Sequence, residues 1–550
     1  ELPVFEPVYP LTQGITLKTM TKAAAGAVDL APRLEEWIDA PLRAERSWPD
    51  WQTAVRAAHA PQITSDLSPD DPNRARLAYD ELFVHQLTLA LARATERKRP
   101  GRETQGTGTL QSQVKVALPF APTGAQDRAV AEILEDMGAP RRMNRLLQGD
   151  VGSGKTLVAL LAMLEAVEAG GQAALMAPTE ILARQHMEGL APLVADLGVR
   201  IDLLTGRDKG AERTAKLDAL AKGEIQILLG THALFQREVV FADLRLAIVD
   251  EQHRFGVRQR MDLGAKGEAV DLLVMTATPI PRSLALSNYG DMDLSVLDEK
   301  PPGRKPVETA LISAERLEAV IARLRTAVAD GRRAYWVCPL VAESEVIEAT
   351  AAEERFKSLR AALGDDRVGL VHGQMPSVDK DAAMADFIAG RTQVLVATTV
   401  IEVGVNVPEA SIMVIEGAEG FGLAQLHQLR GRVGRGAEKS TCLLMYQAPL
   451  SPTAEARLSI MRETEDGFRI AEEDLRLRGA GDVLGLAQSG LPRFRIADLE
   501  RQAGLMATAQ RDARAVLEQD PKLTTPRGQA IRVALHLHEA DRAIRLLSVG

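Results

Sequence analysis

The run Gly149-Asp-Val-Gly152-Ser153-Gly154-Lys155-Thr156 has the residue types and spacing that hold a chain of phosphates. Its glycines let the backbone curl so that N–H groups point at phosphate oxygens beside a helix N-terminus, where negative charge is favoured. Lys155 is placed to reach the β- and γ-phosphates and Thr156 to offer its hydroxyl to Mg²⁺. Downstream, Ile248-Val249-Asp250-Glu251 sets two adjacent carboxylates at the end of an apolar run. At the C-terminal edge of a parallel sheet, Asp250 would hold the metal and Glu251 would polarise an attacking water. Two acids after a strand are also an ordinary solvated strand end; the phosphate loop upstream tips the reading toward nucleotide hydrolysis. Arg432 and Arg435, spaced between glycines in Arg430-Gly-Arg-Val-Gly-Arg435, suit arginine fingers on the γ-phosphate, worth about 10³-fold or more in hydrolysis. Direct contact with nucleic-acid phosphates is the alternative for this pair. Upstream, Phe120 and Gln126 precede the loop; an amide at Gln126 can read the edges of adenine, or act as a polar residue at a helix start.

These groups need a scaffold that brings strand ends together. From about residue 114, short apolar runs alternate with amphipathic helices, as in a parallel sheet covered on both faces. Leu146-Leu147 supplies the strand before the phosphate loop and Leu157–Leu164 the buried helix after it. Further strands are expected at Ala173–Ala177, Ile225–Leu229, Leu246–Val249 and Leu272–Met275. A second series is expected at Ala334–Cys338, Val368–Val371, Val394–Ala397, Ile412–Ile415 and Cys442–Tyr446. The break at Pro301-Pro302-Gly303 divides two α/β units, 114–300 and 301–450. Residues 1–113 are expected to be helical, with apolar positions at helical spacing over Arg74–Leu91 and a polar linker over Lys98–Gln113. Residues 451–550 are expected to form a charged helical region, a glycine-rich turn and a tail.

Bulk composition bounds the class. The chain has 550 residues, of which 46% are hydrophobic and only 4% aromatic, so aliphatic α/β layers fit better than an aromatic-rich sandwich. No apolar run reaches the about 18 residues that mark a spanning helix. No basic-then-apolar leader opens the sequence, and its start at Glu1 is read as missing upstream sequence. Cys338 and Cys442 lack metal-site spacing and read as reduced core thiols, which points to the cytosol. A net charge of −9 argues mildly against nucleic acid, but a groove needs only local basic surface. Two runs could supply it: Arg93, Arg97, Lys98, Arg99 and Arg102, and Arg141, Arg142 and Arg145, although a solvated face or linker explains each equally well. His536 and His538 have no ligand spacing and read as surface or packing residues.

Taken together, the motifs resemble those of superfamily 2 helicases from about residue 118 onward. Met176-Ala-Pro-Thr179-Glu-Ile-Leu-Ala-Arg184-Gln-His186, Leu204-Thr205-Gly206 and Gly230-Thr231-His232 look like the strand-tracking motifs. Met275-Thr-Ala-Thr278-Pro-Ile-Pro-Arg282 looks like the motif that couples hydrolysis to domain movement. Val371-His372-Gly373 and Ala397-Thr398-Thr399-Val-Ile-Glu-Val-Gly404 resemble the DNA-contacting and coupling motifs of the second motor domain. Within the superfamily, Asp250-Glu-Gln-His-Arg-Phe-Gly256, Phe421 through Arg435, Asp474-Leu-Arg476-Leu-Arg478-Gly479 and Gln488-Ser-Gly-Leu-Pro492 are similar to the RecG family. The resemblance implies two RecA-like motor domains that use ATP and Mg²⁺. It also implies Gly404 at the nucleotide and Thr179, Arg184, Thr205, Gly206, Thr231, His232, His372, Gly373, Thr398, Thr399, Arg476, Arg478 and Gln488 on DNA. The implied activity is a duplex translocase that regresses replication forks and migrates Holliday junctions. It would act as a monomer in the bacterial cytosol or nucleoid, with a single-strand-binding protein as a further partner and no membrane.

Three departures qualify that picture. The family's OB-type wedge domain is not among these 550 residues, which puts unwinding by this chain alone in doubt but not ATP hydrolysis. Leu486-Ala487-Gln488 stands where the family usually has Thr-Arg-Gln, removing one basic contact, and Asn406 replaces a more usual Asp. Two other functions fit part of the sequence: a transcription-repair ATPase, which needs a polymerase-binding domain not evident here, and an ATP-gated DNA-binding switch, which has no need of the whole hydrolytic set.

Overall fold

A computed structural model describes residues 5, 8–9, 14–97, 100–251, 266–267, 269–277, 292–301, 305–338, 345–398, 407–434, 436, 439–482, 494–498 and 501–540. Its contacts divide the chain into two bodies. One is built from residues 1–98, 282–292 and 478–550, the other from 99–281 and 293–477. The second body carries both α/β units expected from the sequence.

The first sheet comprises β1 (Asn144–Gly149), β2 (Gln172–Met176), β3 (Ile201–Leu204), β4 (Ile227–Gly230), β5 (Leu244–Val249), β6 (Asp271–Thr276) and β7 (Asp293–Leu297). They are all parallel and ordered β3-β4-β2-β5-β6-β1-β7. In β2, all five residues are buried, as a strand covered on both faces must be. The helix Lys155–Glu168 is buried from Leu157 through Ala166, which explains its uninterrupted apolar run. Because β6 lies between β5 and β1, the loops leaving those three strands converge on one edge of the sheet, the place where parallel sheets bind ligands.

The second sheet comprises β8 (Val307–Ser313), β9 (Arg333–Val337), β10 (Val368–Val371), β11 (Val394–Ala397), β12 (Ala410–Ile415) and β13 (Ser440–Tyr446), ordered β10-β11-β9-β12-β13-β8. Its pairings are also parallel. Every strand expected from the sequence is present within a residue or two at most ends. The sheet-edge strands β3, β7 and β8 are additions. Their residues mix polar and apolar types and stay partly exposed, so they lack the apolar run that marks a central strand. The polar linker is shorter than expected, since a helix starts at Thr109. Glu165 and Glu168 accept the N–H groups of Gly106, Gly108 and Leu110 ahead of and within its first turn.

In the other body, the N- and C-terminal helical regions share one core. Trp37, Trp48, Tyr79, Phe83 and Leu87 pack with Met506, Ala513, Leu523 and Ile531. The long helix Pro72–Arg97 contains the periodic segment Arg74–Leu91. Its Arg76 is fully buried and paired with Asp80 at 3.1 Å and Glu36 at 2.9 Å, while Trp37 Nε1 donates to Asp80 at 2.7 Å. Such a charge survives burial only when it is paired and hydrogen-bonded on several sides. Glu81 on the same helix accepts the N–H groups of Arg495, Ile496 and Ala497 at 2.8–2.9 Å. His536 is exposed and His538 half-buried, and neither belongs to a metal cluster among the described residues.

Cys338 and Cys442 are buried free thiols, and burial pushes Cys442 up to about 12. No described helix is long and apolar enough to cross a membrane. The basic run Arg141 to Arg145 is corrected by the structure. Arg145 is 8% exposed and donates to Asp136, Glu132 and the Ser295 hydroxyl, so it is an interior ion-pair hub of β1 rather than a DNA surface. Arg141 pairs with Asp136 at 3.5 Å, and Arg102 of the other run pairs with Asp243 at 2.6 Å.

Candidate active site

The phosphate loop leaves β1 at Gly149 and enters the helix Lys155–Glu168, with Gly152 at φ 77° and Gly154 at φ 87°. Gly154 has a second reason to lack a side chain: a Cβ there would lie 2.0 Å from Gln126 Nε2. Lys155 Nζ spans the loop, donating to the carbonyls of Gly149 at 2.7 Å and Asp150 at 2.9 Å. Ser153 Oγ is buried in the loop with no hydrogen-bond partner among the described residues. Such an orphaned hydroxyl suits a loop built to receive an anion. Thr156 follows Lys155 in the first turn.

Gln126 is 2% exposed. Its amide nitrogen donates to Ser153 O at 2.8 Å, and its oxygen accepts Thr123 N–H at 2.9 Å in a capping box. The amide expected at adenine therefore ties the helix Gly124–Met137 to the phosphate loop. Phe120 stands 45% exposed ahead of that helix.

Asp250 and Glu251 follow β5. Asp250 Oδ1 accepts the Glu251 N–H at 3.0 Å and Oδ2 meets His186 Nε2 at 2.9 Å. Glu251 has a left-handed φ of 54°, a strained state for a non-glycine residue, and accepts an N–H from Ala277 just beyond β6. Burial and the Asp250 charge raise the Glu251 carboxyl above its ordinary value, while Lys155 and Arg432 oppose that rise. Arg432 comes from the second sheet, in the turn after the helix Leu423–Arg430. Thus residues leaving β1, β5 and β6 meet a cation from the other α/β unit. The described residues contain no cluster of three metal-ligating side chains. One buried carboxylate and a hydroxyl at the loop still fit Mg²⁺, which takes its remaining ligands from phosphates and water.

The first half of the phosphate loop is also held from the far unit. His427 Nε2 lies 2.6 Å from Asp150 Oδ1, and Arg430 donates to His427 Nδ1 at 3.0 Å. Burial pushes the Asp150 carboxyl up, but His427, the Val151 N–H and Lys155 hold it below the usual value overall. His186, His427 and Asp150 were not singled out from sequence, although each lies inside a motif that was.

The residues expected on DNA fall at the C-terminal ends of neighbouring strands. Thr179 follows β2, Thr231 follows β4 and Thr205-Gly206 follows β3, three strands side by side. Thr179 caps the helix Glu180–Val194 by accepting Leu182 N–H, and Arg184 pairs with Glu180 at 2.7 Å. Thr205 and Thr231 are buried; Thr205 Oγ1 is bonded to Asp208 and accepts Arg207 N–H, so it shapes its own loop. Gly206 and His232 are exposed beside them. Arg207, which sequence reading passed over, pairs with Glu180 at 3.3 Å and with Asp381 of the second unit. In the second sheet, His372 follows β10 and Thr398 follows β11, again adjacent, and both are buried while Gly373 is exposed. Arg476 is exposed and pairs with Glu473 on the helix Gly467–Asp482, which also contains Arg478. Thr278, Arg282, Thr399, Gly404, Asn406, Arg435, Ala487 and Gln488 lie outside the described residues.

Comparisons with known proteins agree with this fold. Residues 123–286 fit the DEAD/DEAH box helicase family and 315–437 the helicase conserved C-terminal domain. Residues 464–541 fit the ATP-dependent DNA helicase RecG, domain 3, C-terminal family. The chain is 48% identical over 527 residues to the ATP-dependent DNA helicase RecG of Escherichia coli strain K12, covering 94% of this chain and 76% of that protein. The chain belongs to the RecG family. Its likeness to the RecG of Bacillus subtilis strain 168 is 45% over 534 residues, covering 96% of this chain and 77% of the relative. A solved structure of RecG bound to a three-way DNA junction superposes with a TM-score of 0.71 at 41% identity, covering 91% of this chain and 66% of that one.

Membership fixes the class of the enzyme: an ATP-hydrolysing DNA helicase with two tandem RecA-like domains and a helical C-terminal region. In this RecG-family chain the RecG-specific segment begins at Thr464, where Arg430 Nη1 donates to the Thr464 carbonyl at 2.9 Å and to Met461 O at 2.5 Å. The next residue, Glu465, accepts from Lys300 at 2.9 Å, in the link between the two sheets, and from the N–H of Val307, which opens β8. The arginine-bearing turn, the inter-sheet link and the start of the RecG-specific helix are therefore bonded at one point.

Proposed function

We propose that this chain is the ATP-driven motor of a branched-DNA translocase, regressing stalled forks and migrating Holliday junctions in recombination and repair. The carrying observation is the composite site: His427 Nε2 of the second α/β unit lies 2.6 Å from Asp150 Oδ1 in the phosphate loop of the first, and the charge of Arg432, five residues on, opposes the rise of the Glu251 carboxyl. Lys155 and the loop N–H groups would hold the phosphates of a nucleotide bound there. Thr156 and Asp250 would hold Mg²⁺, which when bound neutralises phosphate charge. Glu251 orients and polarises the attacking water, and Arg432 with Arg435 stabilises the charge that builds on the transferring phosphoryl group. Hydrolysis removes the anion that joins the units, so their separation is a two-state element driven by ATP.

The DNA track follows from the strand-end residues Thr179, Gly206, His232, Gly373 and Thr398, whose backbone and short polar groups suit sequence-independent phosphate contact. The junction held by the solved relative supports branched DNA as the substrate. A monomer of the bacterial cytosol or nucleoid, with single-strand-binding protein as an accessory partner, completes the reading on family resemblance alone.

The test is the ATPase rate of the chain and of its Glu251→Gln variant with a four-way junction, a fork, linear duplex and single strand. Stimulation by DNA, strongest with branches and abolished in the variant, is the expected result. Stimulation by RNA alone, or by no nucleic acid, would overturn the proposal. Branch-independent stimulation by duplex would retain the motor and remove branch choice from this chain.

A further inference from the structure

Asp150 and Val151 stand between the glycines of the phosphate loop, and both meet the end of the helix Leu423–Arg430. His427 and Asp150 join through side chains only 7% and 15% exposed. The ring's proton can be assigned. A guanidinium only donates, so the Arg430 Nη2 contact at 3.0 Å makes His427 Nδ1 an acceptor, and the neutral ring carries its hydrogen on Nε2, facing Asp150 Oδ1 at 2.6 Å. One residue past the helix, a Cβ on Gly431 would come within 2.9 Å of Val151 Cβ. The turn therefore approaches the loop as closely as bare backbone allows. Arg432 follows immediately, and its charge acts on Glu251.

We infer that His427 is a positioning residue for hydrolysis: by donating to Asp150 it sets the register of the Arg432-bearing turn against the phosphate loop. Asp150 is thereby the docking point of the loop for the second motor domain, separate from the groups that cradle phosphate. The chemistry suits the task. A neutral imidazole braced from behind by Arg430 offers a single directed donor to a buried carboxylate, a charge-assisted bond with a narrow geometry. Arg430 is itself fixed by the Met461 and Thr464 carbonyls, so the imidazole cannot swing with its own side chain alone. The inference rests on the reading of Arg432 as the cation that meets the transferring phosphate.

The test uses the whole chain with junction DNA, and reads ADP affinity, affinity for ADP with aluminium fluoride, and kcat and KM for ATP. For His427→Ala, ADP affinity is expected within about twofold of the parent. Affinity for the fluoride complex and kcat should each fall about tenfold or more, with KM little changed. His427→Gln, whose amide nitrogen can still donate to Asp150, should recover part of both. Asp150→Ala should show the same loss, and the double variant should be no worse than either single one. Unchanged kcat and fluoride-complex affinity in His427→Ala would overturn the inference. So would equal losses of ADP and fluoride-complex affinity, or losses that multiply in the double variant. Arg432→Ala, measured alongside, separates the two levels. If it hydrolyses ATP normally, the finger reading itself fails; if it is inactive while His427→Ala is normal, only the positioning role fails.

Discussion

The side-chain amide of Gln126 donates to the Ser153 carbonyl at 2.8 Å, joining the helix ahead of β1 to the loop behind it. The bond is buried, and its donor sits 2.0 Å from where a Cβ of Gly154 would be. Gly154→Ala must therefore expel the amide as well as force a left-handed φ of 87° on a residue with a side chain. We expect this variant to lose ADP affinity by about tenfold or more. Gln126→Ala, which removes the tie without forcing the backbone, should lose less. Nucleotide titration with a fluorescent ADP analogue compares them, and equal affinities for both variants and the parent would contradict this role.

Arg145 tests whether a basic run is surface or interior. Its guanidinium is held by Asp136 at 2.6 Å, Glu132 at 3.1 Å and Ser295 Oγ at 2.7 Å. Arg145→Ala leaves buried Asp136 to the longer, 3.5 Å contact with the half-exposed Arg141, so we expect a stability loss of about 3 kcal/mol. Urea denaturation measures that loss. The salt dependence of DNA binding, measured on the folded variant, should not change.

Asp271 opens β6, and its Oδ1 accepts the Met143 N–H at 2.7 Å. Burial, with the Asp136 charge adding to it, pushes the carboxyl up from 3.8 to about 8, against that hydrogen bond and Arg142. The folded state then keeps a proton that the unfolded chain releases near 3.8. The stabilisation is complete below that value and is lost as pH rises toward about 8. Asp271→Asn keeps an acceptor for Met143 and does not titrate. Its thermal midpoint relative to the parent should rise between pH 5 and pH 8; a constant difference would refute the assignment.

Arg207 offers a contrast in cost. Its side chain is 53% exposed, and its partners Glu180 and Asp381 lie on different α/β units. Arg207→Ala should change stability by less than about 1 kcal/mol. If this cation lies on the DNA track beside Gly206, the variant should bind duplex more weakly and flatten the log–log salt slope by about one. Binding isotherms at several salt concentrations provide the measurement.

Chemistry written in consecutive residues was legible without coordinates. The phosphate loop, the acidic pair after β5 and the central strands announce themselves because backbone curvature, charge placement and full burial each demand particular residue types locally. Family likeness added the order of the two motor domains and the strand-end motifs. Edge strands such as β3 and β7 escaped because one exposed side relaxes the apolar pattern that full burial imposes. Tertiary structure alone decided the partners. Arg145 looked like a surface cation until Ser295, 150 residues away, and a facing helix enclosed it. Likewise His427 acquired its role only by meeting Asp150 across 277 residues. Charge and hydrogen-bonding capacity belong to a residue, but whether they are spent on solvent, ligand or interior depends on what the fold brings within about 3 Å.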